Sequence, residues 1–385
     1  MLKVLVIDDE PDYCEFVSDV LDELGHDARS AINPDQFADR FLASIDVCFV
    51  DLFMPGMDGI EIVRFLSENQ SRAAIVFMSG KDLSILHAAR ELAVERGLTV
   101  LGVLPKPFGF ADVERVLERY PSETTRQAEA GLPELSVDDV RIALAAGHLW
   151  LAYQPKIRLS DRCPVGSEAL LRWHHPERGV VGPGTFIPML EHSELIAPVT
   201  EFVIDRALRD LASLSSHLGI HRMSVNLSAR TIHDLDLPER IAAQAERHGV
   251  VPQSLVLEIT ETAAMADVAR SIDILTRLRM KGFGLSIDDF GTGYSSLVQL
   301  VRVPFDELKI DQRFVRNLLS SVENLTVTEI SVLLAHKLGM RVVAEGIEDE
   351  PTLEALRRLD CDEGQGFAIA RPMPFEELRT WLQAA

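Results

Sequence analysis

The chain has 385 residues, of which 47% are hydrophobic and 25% are charged, a composition typical of folded protein. This length is too great for one ordinary hydrophobic core and predicts two or three domains. The 60 acidic residues exceed the 38 lysines and arginines. The resulting formal net charge of −22 argues against duplex DNA or an anionic membrane as a main partner, because both attract basic surfaces.

Cysteine spacing and apolar runs argue against two further classes of protein. The four cysteines are widely spaced and form no CxxC pair, which disfavours a zinc site and a disulfide-rich scaffold. No run approaches the roughly 18 apolar residues that a membrane span needs. We therefore expect a cytoplasmic protein with reduced thiols and no membrane partner.

Within residues 1–120, four short apolar runs alternate with helical segments, and each run is followed by polar groups. The runs cover residues 2–7, 47–50, 74–78 and 100–104. The polar groups that follow them are Asp8, Asp9, Asp51, Ser79 and Lys106. This alternation predicts an α/β domain with a doubly wound parallel sheet, whose functional residues collect at the carboxyl ends of the strands. An acid pair can hold Mg²⁺, a lone aspartate can act as a nucleophile, and a hydroxyl and a lysine can bind the oxygens of a transferred group.

This first segment resembles the flavodoxin-like receiver domain of two-component response regulators, which are phosphorylated by a cognate sensor histidine kinase. The roles that the resemblance implies are phosphoryl acceptor for Asp51, Mg²⁺ ligands for Asp8 and Asp9, switch hydroxyl for Ser79, and phosphate-pairing lysine for Lys106. It also implies a cis bond between Lys106 and Pro107. One position departs from the family pattern. Val103 stands where many receivers place an aromatic side chain that rotates on phosphorylation.

A linker and a second domain are predicted after residue 120. Residues 121–134 mix proline, glycine, serine, threonine and charges without an apolar period, which is typical of a linker. An amphipathic helix with Ser136 as its N-cap follows, so the second domain is expected over residues 135–385.

Eight strand-like runs occur in the second domain, most of them separated by helical stretches. They cover residues 150–159, 165–172, 223–227, 255–260, 284–287, 307–310, 341–344 and 366–370. The pattern predicts a modified (β/α)₈ TIM-like barrel with its site at the carboxyl ends of the strands. Only residues 160–164 separate the first two runs, which is too short for a parallel crossover. We therefore expect an antiparallel first strand.

Seven of these predicted strands present a carboxylate, an amide or an ammonium group close to one end. The groups are Glu168, Asn226, Glu258, Asp288, Asp289, Lys309, Glu345 and Gln365. Oxygen ligands without histidine or cysteine favour Mg²⁺ or Mn²⁺ over zinc. Because the acids outnumber the needs of one cation, two metals are predicted, an arrangement suited to in-line attack of water on a phosphodiester. Taken alone, the pair Asp288 and Asp289 would more commonly be a solvated turn.

From about residue 135 onward, the chain resembles the EAL domain of cyclic di-GMP phosphodiesterases. The matching motifs lie at residues 153–156 (YQPK), 168–170 (EAL), 258–261 (EITE), 288–296 (DDFGTGYSS), 308–311 (LKID), 345–346 (EG) and 365–366 (QG). The resemblance implies two Mg²⁺ or Mn²⁺ ions, the first held by Glu168, Asn226, Glu258 and Asp288 and the second by Asp288, Asp289 and Glu345. The other implied roles are contact with the attacking water or phosphoryl oxygen for Lys309, general base for Glu345, water orientation for Gln365, phosphate binding for Arg172, guanine binding for Gln154, and anchoring of loop 290–296 for Glu261.

Several other polar and aromatic residues are expected to be structural. Adjacent strand residues point in opposite directions, so the pair His174 and His175 is expected to belong to loop structure and not to bind a metal. The remaining residues in this group are Glu348 and Asp311, expected at the surface or in support of the site, and Trp150 and Trp173, expected to pack in the core.

Together these features predict a response regulator that hydrolyses cyclic di-GMP to linear pGpG. Phosphorylation of Asp51 is expected to alter this activity near loop 288–296, through the interface between domains or subunits, and the resemblance implies a homo-oligomer formed through the EAL domain. Two alternatives stay open. One is an inactive EAL domain that binds cyclic di-GMP as a sensor or scaffold, and the other is a DNA-binding regulator, which the acidic balance and the lack of a basic helix-turn-helix disfavour.

Overall fold

The computed structural model describes residues 1–33, 36–37, 41, 45–80, 83–120, 135–218, 221–266, 268–291 and 300–384. The chain divides into two compact units, Met1–Pro133 and Glu134–Ala385. The predicted linker, residues 121–134, lies outside the described residues, so the domain boundaries stay a prediction. Among the described residues, none of the helices has the length and apolar character that crossing a bilayer needs.

The first unit contains a five-stranded parallel sheet with the order β2-β1-β3-β4-β5. Its strands are β1 Lys3–Ile7, β2 Asp27–Ala31, β3 Val47–Asp51, β4 Ala74–Ser79 and β5 Val100–Pro105. Its helices are Pro11–Glu23, Gly59–Glu68, Leu83–Glu95 and Phe110–Leu117. This order is that of flavodoxin-like folds, and the predicted doubly wound sheet is confirmed.

Residues of the interior strand β1 alternate between two hydrophobic cores, one on each face of the sheet. Leu5 packs in the core that contains Leu66, and Val6 packs in the core that contains Val17. A strand buried on both faces shows no polar alternation, which explains why residues 4–7 of β1 are all apolar. The edge strand β2 was not predicted, because its sequence DARSA is mostly polar and partly exposed.

The second unit is a closed barrel of eight strands. Around the ring, β6, β14, β13, β12, β11, β10, β9 and β7 are neighbours, and β6 pairs with β7 to close it. The strands are β6 Leu149–Arg158, β7 Pro164–His175, β9 Arg222–Leu227, β10 Leu255–Thr260, β11 Gly284–Phe290, β12 Glu307–Ile310, β13 Arg341–Ala344 and β14 Glu363–Gly364, with β8 Gly179–Val181 added beside β7. Because β6 is antiparallel to both β7 and β14, the predicted reversal of the first strand is confirmed.

Helices cover the barrel between its strands. The α-helices are Val137–Ala146, Pro183–Glu191, Ile196–Leu218, Leu237–His248, Glu261–Ala266, Val268–Met280, Gln312–Arg316, Val322–Lys337, Glu350–Arg358 and Phe375–Ala384, and two short 3₁₀ turns are Thr231–His233 and Pro252–Ser254. The first helix begins as predicted. Ser136 Oγ accepts a hydrogen bond from the backbone N–H of Asp139 at 3.3 Å, and Asp139 accepts one from the N–H of Ser136 in return.

The predicted eighth strand, residues 366–370, is wrong in position. The strand is the shorter segment Glu363–Gly364, and the chain turns directly after it. A Cβ atom added to Gly366 would lie 2.2 Å from both the backbone nitrogen and the carbonyl oxygen of Ile347, so only glycine fits this approach. Ala370 N–H then donates to Gly366 O at 3.0 Å and closes the turn.

A buried histidine near the amino end of β9 gives the fold a pH dependence. His221 is 4% exposed and shares a 3.0 Å hydrogen bond between its Nε2 and Ser167 Oγ. Burial, with a contribution from Arg222, lowers the pKa of His221 from 6.5 to about 4. Between pH 6.5 and pH 4, His221 is protonated in the unfolded chain but stays neutral in the folded chain. The free energy of unfolding therefore falls as the pH falls from 6.5 toward 4.

We expect His221→Gln to remove this part of the pH dependence. Between about pH 7 and about pH 5, the wild-type free energy of unfolding should fall by about 2 kcal/mol more than that of the variant. Urea unfolding of both proteins at the two pH values measures this difference. Parallel pH profiles for the two proteins would show that folding does not lower the pKa of His221.

Candidate active site

The carboxyl ends of the barrel strands bring the predicted site residues of the second unit together. Strand register places Glu258 of β10 beside Asn226 of β9, and Asp288 of β11 beside Thr260 of β10. Alternate residues of a strand point to the barrel interior, so side chains at these positions share one cavity. The other predicted groups at this end are Glu168 on β7, Lys309 on β12, Glu345 directly after β13 and Gln365 directly after β14.

Lys309 lies at the centre of the site. Its Nζ lies 2.5 Å from Glu345 Oε1, 2.7 Å from Glu258 Oε2, 3.1 Å from Asp288 Oδ1 and 3.4 Å from Glu168 Oε2. The side chain is 1% exposed. Burial alone would lower the pKa of Lys309, but the four carboxylates raise it well above its ordinary value. The ammonium group therefore remains charged and is the common partner of four acids.

Glu258 is held between two lysines. Its Oε1 accepts a hydrogen bond from Lys156 Nζ at 2.8 Å, and its Oε2 accepts one from Lys309 Nζ at 2.7 Å. Burial would raise the pKa of Glu258, yet the two ammonium groups outweigh burial and lower it to about 2. The two lysines therefore stabilise the ionised form of Glu258.

A backbone irregularity orients the adjacent acids Asp288 and Asp289. The pairing of β11 with β12 shifts register between Ile287 and Phe290, and Asp289 has a left-handed φ of 56°. Carboxylate oxygens of Asp288, Asp289 and Glu345 lie within 4.8 Å of one another. Burial, and then the charge of Asp288, raise the pKa of Asp289 to about 7.

Two amides hold the carboxylates of Glu168 and Glu345. Gln365 Nε2 donates to Glu168 Oε2 at 2.6 Å and to Glu345 Oε1 at 3.0 Å, and Asn226 Nδ2 donates to Glu168 Oε1 at 2.9 Å. Burial raises the pKa of Glu168 and of Glu345. For Glu168, the charge of Glu258 raises the pKa further. Within the described part of the chain, the buried Oε1 of Gln365 has no hydrogen-bond partner.

The donor set fits divalent cations. Five carboxyl groups converge on the site, and among the described residues two ammonium groups, of Lys156 and Lys309, oppose them. Burial, and after it the charge of neighbouring carboxylates, raises the pKa of Glu168, Asp289 and Glu345, and a bound cation would favour their ionised forms. The ligand atoms are carboxylate and amide oxygens, which hard cations such as Mg²⁺ and Mn²⁺ prefer.

Glu261 contacts the start of the loop that follows β11. Its Oε2 accepts a hydrogen bond from the backbone N–H of Gly291 at 3.0 Å. Gly291 has a φ of 92°, which glycine adopts without strain. Residues 292–296, the rest of the loop that Glu261 was expected to anchor, lie outside the described residues.

The two predicted substrate-binding residues lie on the reversed hairpin. Gln154 on β6 is opposite Glu168 on β7, and its Nε2 donates to Ala370 O at 3.2 Å. Arg172 is four residues beyond Glu168 on the same strand, and its Nη1 donates to Leu171 O at 2.9 Å. Burial lowers the pKa of Arg172. Both side chains therefore belong to the end of the barrel that carries the acids.

Residues expected to be structural have structural contacts. Glu348 pairs with Arg316 at 3.0 Å, and about half of each side chain is exposed. Asp311 accepts a hydrogen bond from Arg313 N–H at 2.7 Å and also contacts Asp289. The expectation that His174 and His175 belong to a loop is wrong, because both lie at the end of β7 and pair with β8. His175 Nδ1 accepts hydrogen bonds from the backbone N–H groups of Glu177 and Arg178 in the turn before β8. Trp173 is 2% exposed and packs on Phe186.

In the first unit, Lys106 joins the acids at the carboxyl ends of β1 and β3. Its Nζ lies 2.7 Å from Asp8 Oδ2 and 3.2 Å from Asp51 Oδ1. Carboxylate oxygens of Asp8, Asp9 and Asp51 lie within 4.8 Å of one another, a set that fits one Mg²⁺. Burial raises the pKa of Asp8 and of Asp51.

Two further predictions for this unit concern its last strands. The bond between Lys106 and Pro107 is cis, as expected. Ser79 is buried at the end of β4, and its backbone carbonyl accepts a hydrogen bond from Lys106 N–H at 2.7 Å. Val103 packs against the core that contains Leu66.

Sequence reasoning missed three polar partners of these sites. Glu10 pairs with Lys106 at 3.2 Å, and Ser224 and Glu307 contact Lys156 inside the barrel. Lys156 itself was noticed only as part of the motif at residues 153–156. Its even spacing from Gln154 on one strand was the signal that it also points inward.

Two protein families match the chain. The EAL domain family matches residues 137–372, which is more than half of the sequence, and the response regulator receiver domain family matches residues 4–118. The chain belongs to the EAL-domain family. Its first unit is a response regulator receiver domain, and the two matches together confirm the resemblances inferred from the motifs.

Relatives of this EAL-domain protein include two from Pseudomonas aeruginosa. The cyclic di-GMP phosphodiesterase RocR is 34% identical over 337 residues, which are 86% of this chain and 85% of RocR. The bifunctional diguanylate cyclase/cyclic di-GMP phosphodiesterase MucR is 40% identical over 257 residues, which are 66% of this chain and 38% of MucR. The chain thus spans little more than a third of MucR.

Solved structures agree with the barrel architecture of this EAL-domain protein. The PaMucR phosphodiesterase in complex with c-di-GMP has a TM-score of 0.61 and 42% identity, and the match covers 63% of this chain and 98% of that one. The EAL enzyme Bd1971, bound to cAMP and cyclic di-GMP, has a TM-score of 0.61 and 32% identity, and the match covers 70% of this chain and 74% of that one.

Proposed function

We propose that this chain hydrolyses cyclic di-GMP to linear pGpG in a reaction that depends on divalent metal. The observation that supports the proposal is the set of carboxylate and amide oxygens at one end of the barrel, four of whose carboxylates contact Lys309. The sequence relatives RocR and MucR, both named as cyclic di-GMP phosphodiesterases, support the choice of substrate.

The proposed ligands divide into two overlapping sets. Glu168, Asn226, Glu258 and Asp288 would hold the first ion, and Asp288, Asp289 and Glu345 would hold the second. When bound, Mg²⁺ or Mn²⁺ would supply Lewis-acid activation of water and neutralise charge on the phosphoryl oxygens. Asn226 donates through Nδ2 to Glu168, which directs its Oδ1 away from that carboxylate and makes it available as a ligand.

The chain's own groups would handle charge and protons. The ammonium of Lys309, kept charged by its acid partners, would stabilise negative charge that develops on the phosphoryl oxygens. Glu345, whose pKa burial raises, would accept the proton of the attacking water as well as serve as a ligand. Gln365, which donates to both Glu168 and Glu345, would fix these carboxylates and orient the water.

Substrate contacts are proposed for two residues near the rim. Arg172 would bind a phosphate of the dinucleotide, since its guanidinium can donate two parallel hydrogen bonds to phosphate oxygens. Gln154 would bind a guanine edge through its amide.

We expect the purified full chain to convert cyclic di-GMP to pGpG with added Mg²⁺ or Mn²⁺, and to stop when EDTA removes the metal. Chromatography of the products measures the conversion. Binding of cyclic di-GMP without turnover in either metal would favour the alternative of an inactive sensor or scaffold. Activity that persists after thorough removal of metal would contradict the metal assignment.

The receiver is proposed to regulate this activity through phosphorylation of Asp51 by a cognate sensor histidine kinase. Asp8 and Asp9 would hold Mg²⁺ beside the acceptor, Lys106 would pair with the phosphoryl group, and the hydroxyl of Ser79 would bind one of its oxygens. We further propose a cytoplasmic protein that forms homo-oligomers through the EAL domain and does not bind DNA, which light scattering and a duplex titration at low salt would test.

We expect beryllofluoride, a mimic of the phosphoryl group, to change the turnover of the wild-type chain and not that of Asp51→Asn. The substitution removes the attachment oxygen while keeping the size of the side chain. Initial rates of pGpG formation with and without beryllofluoride measure the effect. Equal rates for the wild type under both conditions would rule out regulation through Asp51.

A further inference from the structure

Charged side chains fill the barrel interior beneath the proposed metal ligands, where a (β/α)₈ barrel usually carries branched aliphatic residues. Lys156 on β6, Glu258 on β10 and Glu307 on β12 are each at most 3% exposed. Lys156 Nζ lies 2.8 Å from Glu258 Oε1 and 3.6 Å from Glu307 Oε1. One buried ammonium group thus lies between a proposed metal ligand and a second carboxylate that is not a ligand.

Lys156 differs from Lys309 in the acids that it contacts. Lys309 pairs with four proposed ligands, whereas in the described part of the chain Lys156 pairs with Glu258 as its sole partner among them. The other hydrogen bond of Lys156 goes to Ser224 Oγ at 2.8 Å. The direct contact of Lys156 with the proposed metal site is therefore made through one carboxylate, and its charge acts on Glu168 only over a longer distance.

The far side of Lys156 is held by groups outside the site. Glu307 Oε2 lies 3.4 Å from Arg341 Nη2 and 3.7 Å from Arg222 Nη1. Arg222 also pairs with Glu363 at 2.5 Å. This ion-pair network holds Glu307 in place. Ser224 accepts a hydrogen bond from the ammonium of Lys156, and Glu307, at 3.6 Å, adds an ionic contact.

We propose that Lys156 is a positioning residue that orients Glu258 as a metal ligand and thereby sets the affinity of the first ion, an inference that rests on the function proposed above. With Oε1 held by Lys156, the carboxylate has a fixed orientation and presents Oε2 to the site. Without Lys156, Glu258 would keep Lys309 as its lysine partner and could turn both oxygens toward it. Groups that orient metal ligands typically change metal affinity by about 10- to 100-fold, although the positive charge of Lys156 opposes part of this gain.

Binding of Mn²⁺ to the full chain, measured by calorimetry without substrate, tests the proposal. All proteins carry Asp9→Asn, which removes a ligand of the receiver ion, so the heat reports on the barrel. We expect Lys156→Met to weaken one Mn²⁺ site by about 10- to 100-fold and Lys156→Arg, which keeps the charge, to restore part of the affinity. Lys281→Met, which removes a surface lysine paired with Glu239, should bind Mn²⁺ as the parent does. The Mn²⁺ concentration needed for half-maximal turnover should rise by the same factor in Lys156→Met, with the rate recovering at saturation.

A second variant allows the test to be made if Lys156→Met does not fold. If Lys156→Met lacks the native circular dichroism spectrum, the double variant Lys156→Met/Glu307→Gln, which also removes the carboxylate left without its lysine, replaces it. Mn²⁺ affinity within about threefold of the parent in a folded variant would overturn the proposal, because a positioning role requires more. Failure of both variants to fold would assign Lys156 a purely structural role. A parent chain that neither binds Mn²⁺ in the barrel nor turns over cyclic di-GMP would instead refute the proposed function.

Discussion

Asp288→Asn is expected to lower turnover of cyclic di-GMP by at least about 100-fold while leaving the barrel folded. Asp288 is the acid shared by both proposed metal sites, so one substitution weakens both. Its carboxylate also pairs with Lys309 at 3.1 Å, and a neutral amide would weaken that contact without changing the volume of the side chain. Initial rates at several Mn²⁺ concentrations, together with a circular dichroism spectrum, measure the two expectations.

A matched control for Asp288→Asn is Glu348→Gln. It makes the same change from acid to amide three residues beyond Glu345, at a side chain that pairs with Arg316 on the surface. We expect near wild-type turnover for this control. If Asp288→Asn retained turnover close to that of the control, the assignment of Asp288 as a metal ligand would be wrong.

Lys309→Met is expected to destabilise the metal-free protein by about 3–5 kcal/mol and to abolish turnover. The substitution leaves four carboxylates, two of them almost fully buried, without their common ammonium. Added Mn²⁺ should stabilise the variant more than the wild type, because the ion replaces part of the missing positive charge. Urea unfolding in EDTA and in Mn²⁺ measures both effects.

The destabilisation of Lys309→Met should shrink at low pH. Without the ammonium, the buried acids have higher pKa values in the folded chain than in the unfolded chain. As the pH falls, they are therefore protonated at a higher pH in the folded chain. Their contribution to stability is therefore present at low pH and is lost as the pH rises through those values. Lys281→Met, a surface substitution, serves as the control. A loss of stability that is the same at pH values near 4 and near 8, within about 0.5 kcal/mol, would contradict this origin.

Sequence patterns predicted the order along the chain of the strands that end in polar residues, but they did not predict every strand. Apolar runs that end in acids, such as those before Asp51 and Asp288, predict both a buried strand and the end at which its functional group lies. The polar edge strand β2 has no such run, and β14 is only two residues long. Both depend on pairing with a neighbouring strand, which local sequence does not encode.

The polar interior of the barrel also limited prediction. A lysine at an inward position, such as Lys156, has the same local pattern as a lysine that faces solvent. Its burial follows from three acceptors on other strands, the nearest of them 68 residues away in sequence. Motif resemblance predicted the acids because each has a role in the family. The contacts among Lys156, Ser224 and Glu307 are visible only once the strands are in register.

The left-handed backbone at Asp289 decides which variants of the second acid are informative. At a φ of 56°, glycine, asparagine and aspartate are tolerated, whereas β-branched side chains are strained. In a library randomised at this position, most side chains would therefore lose activity because they strain the backbone, whatever their charge. An inactive valine variant would report on the turn and not on the carboxylate, and Asp289→Asn is the substitution that separates the two.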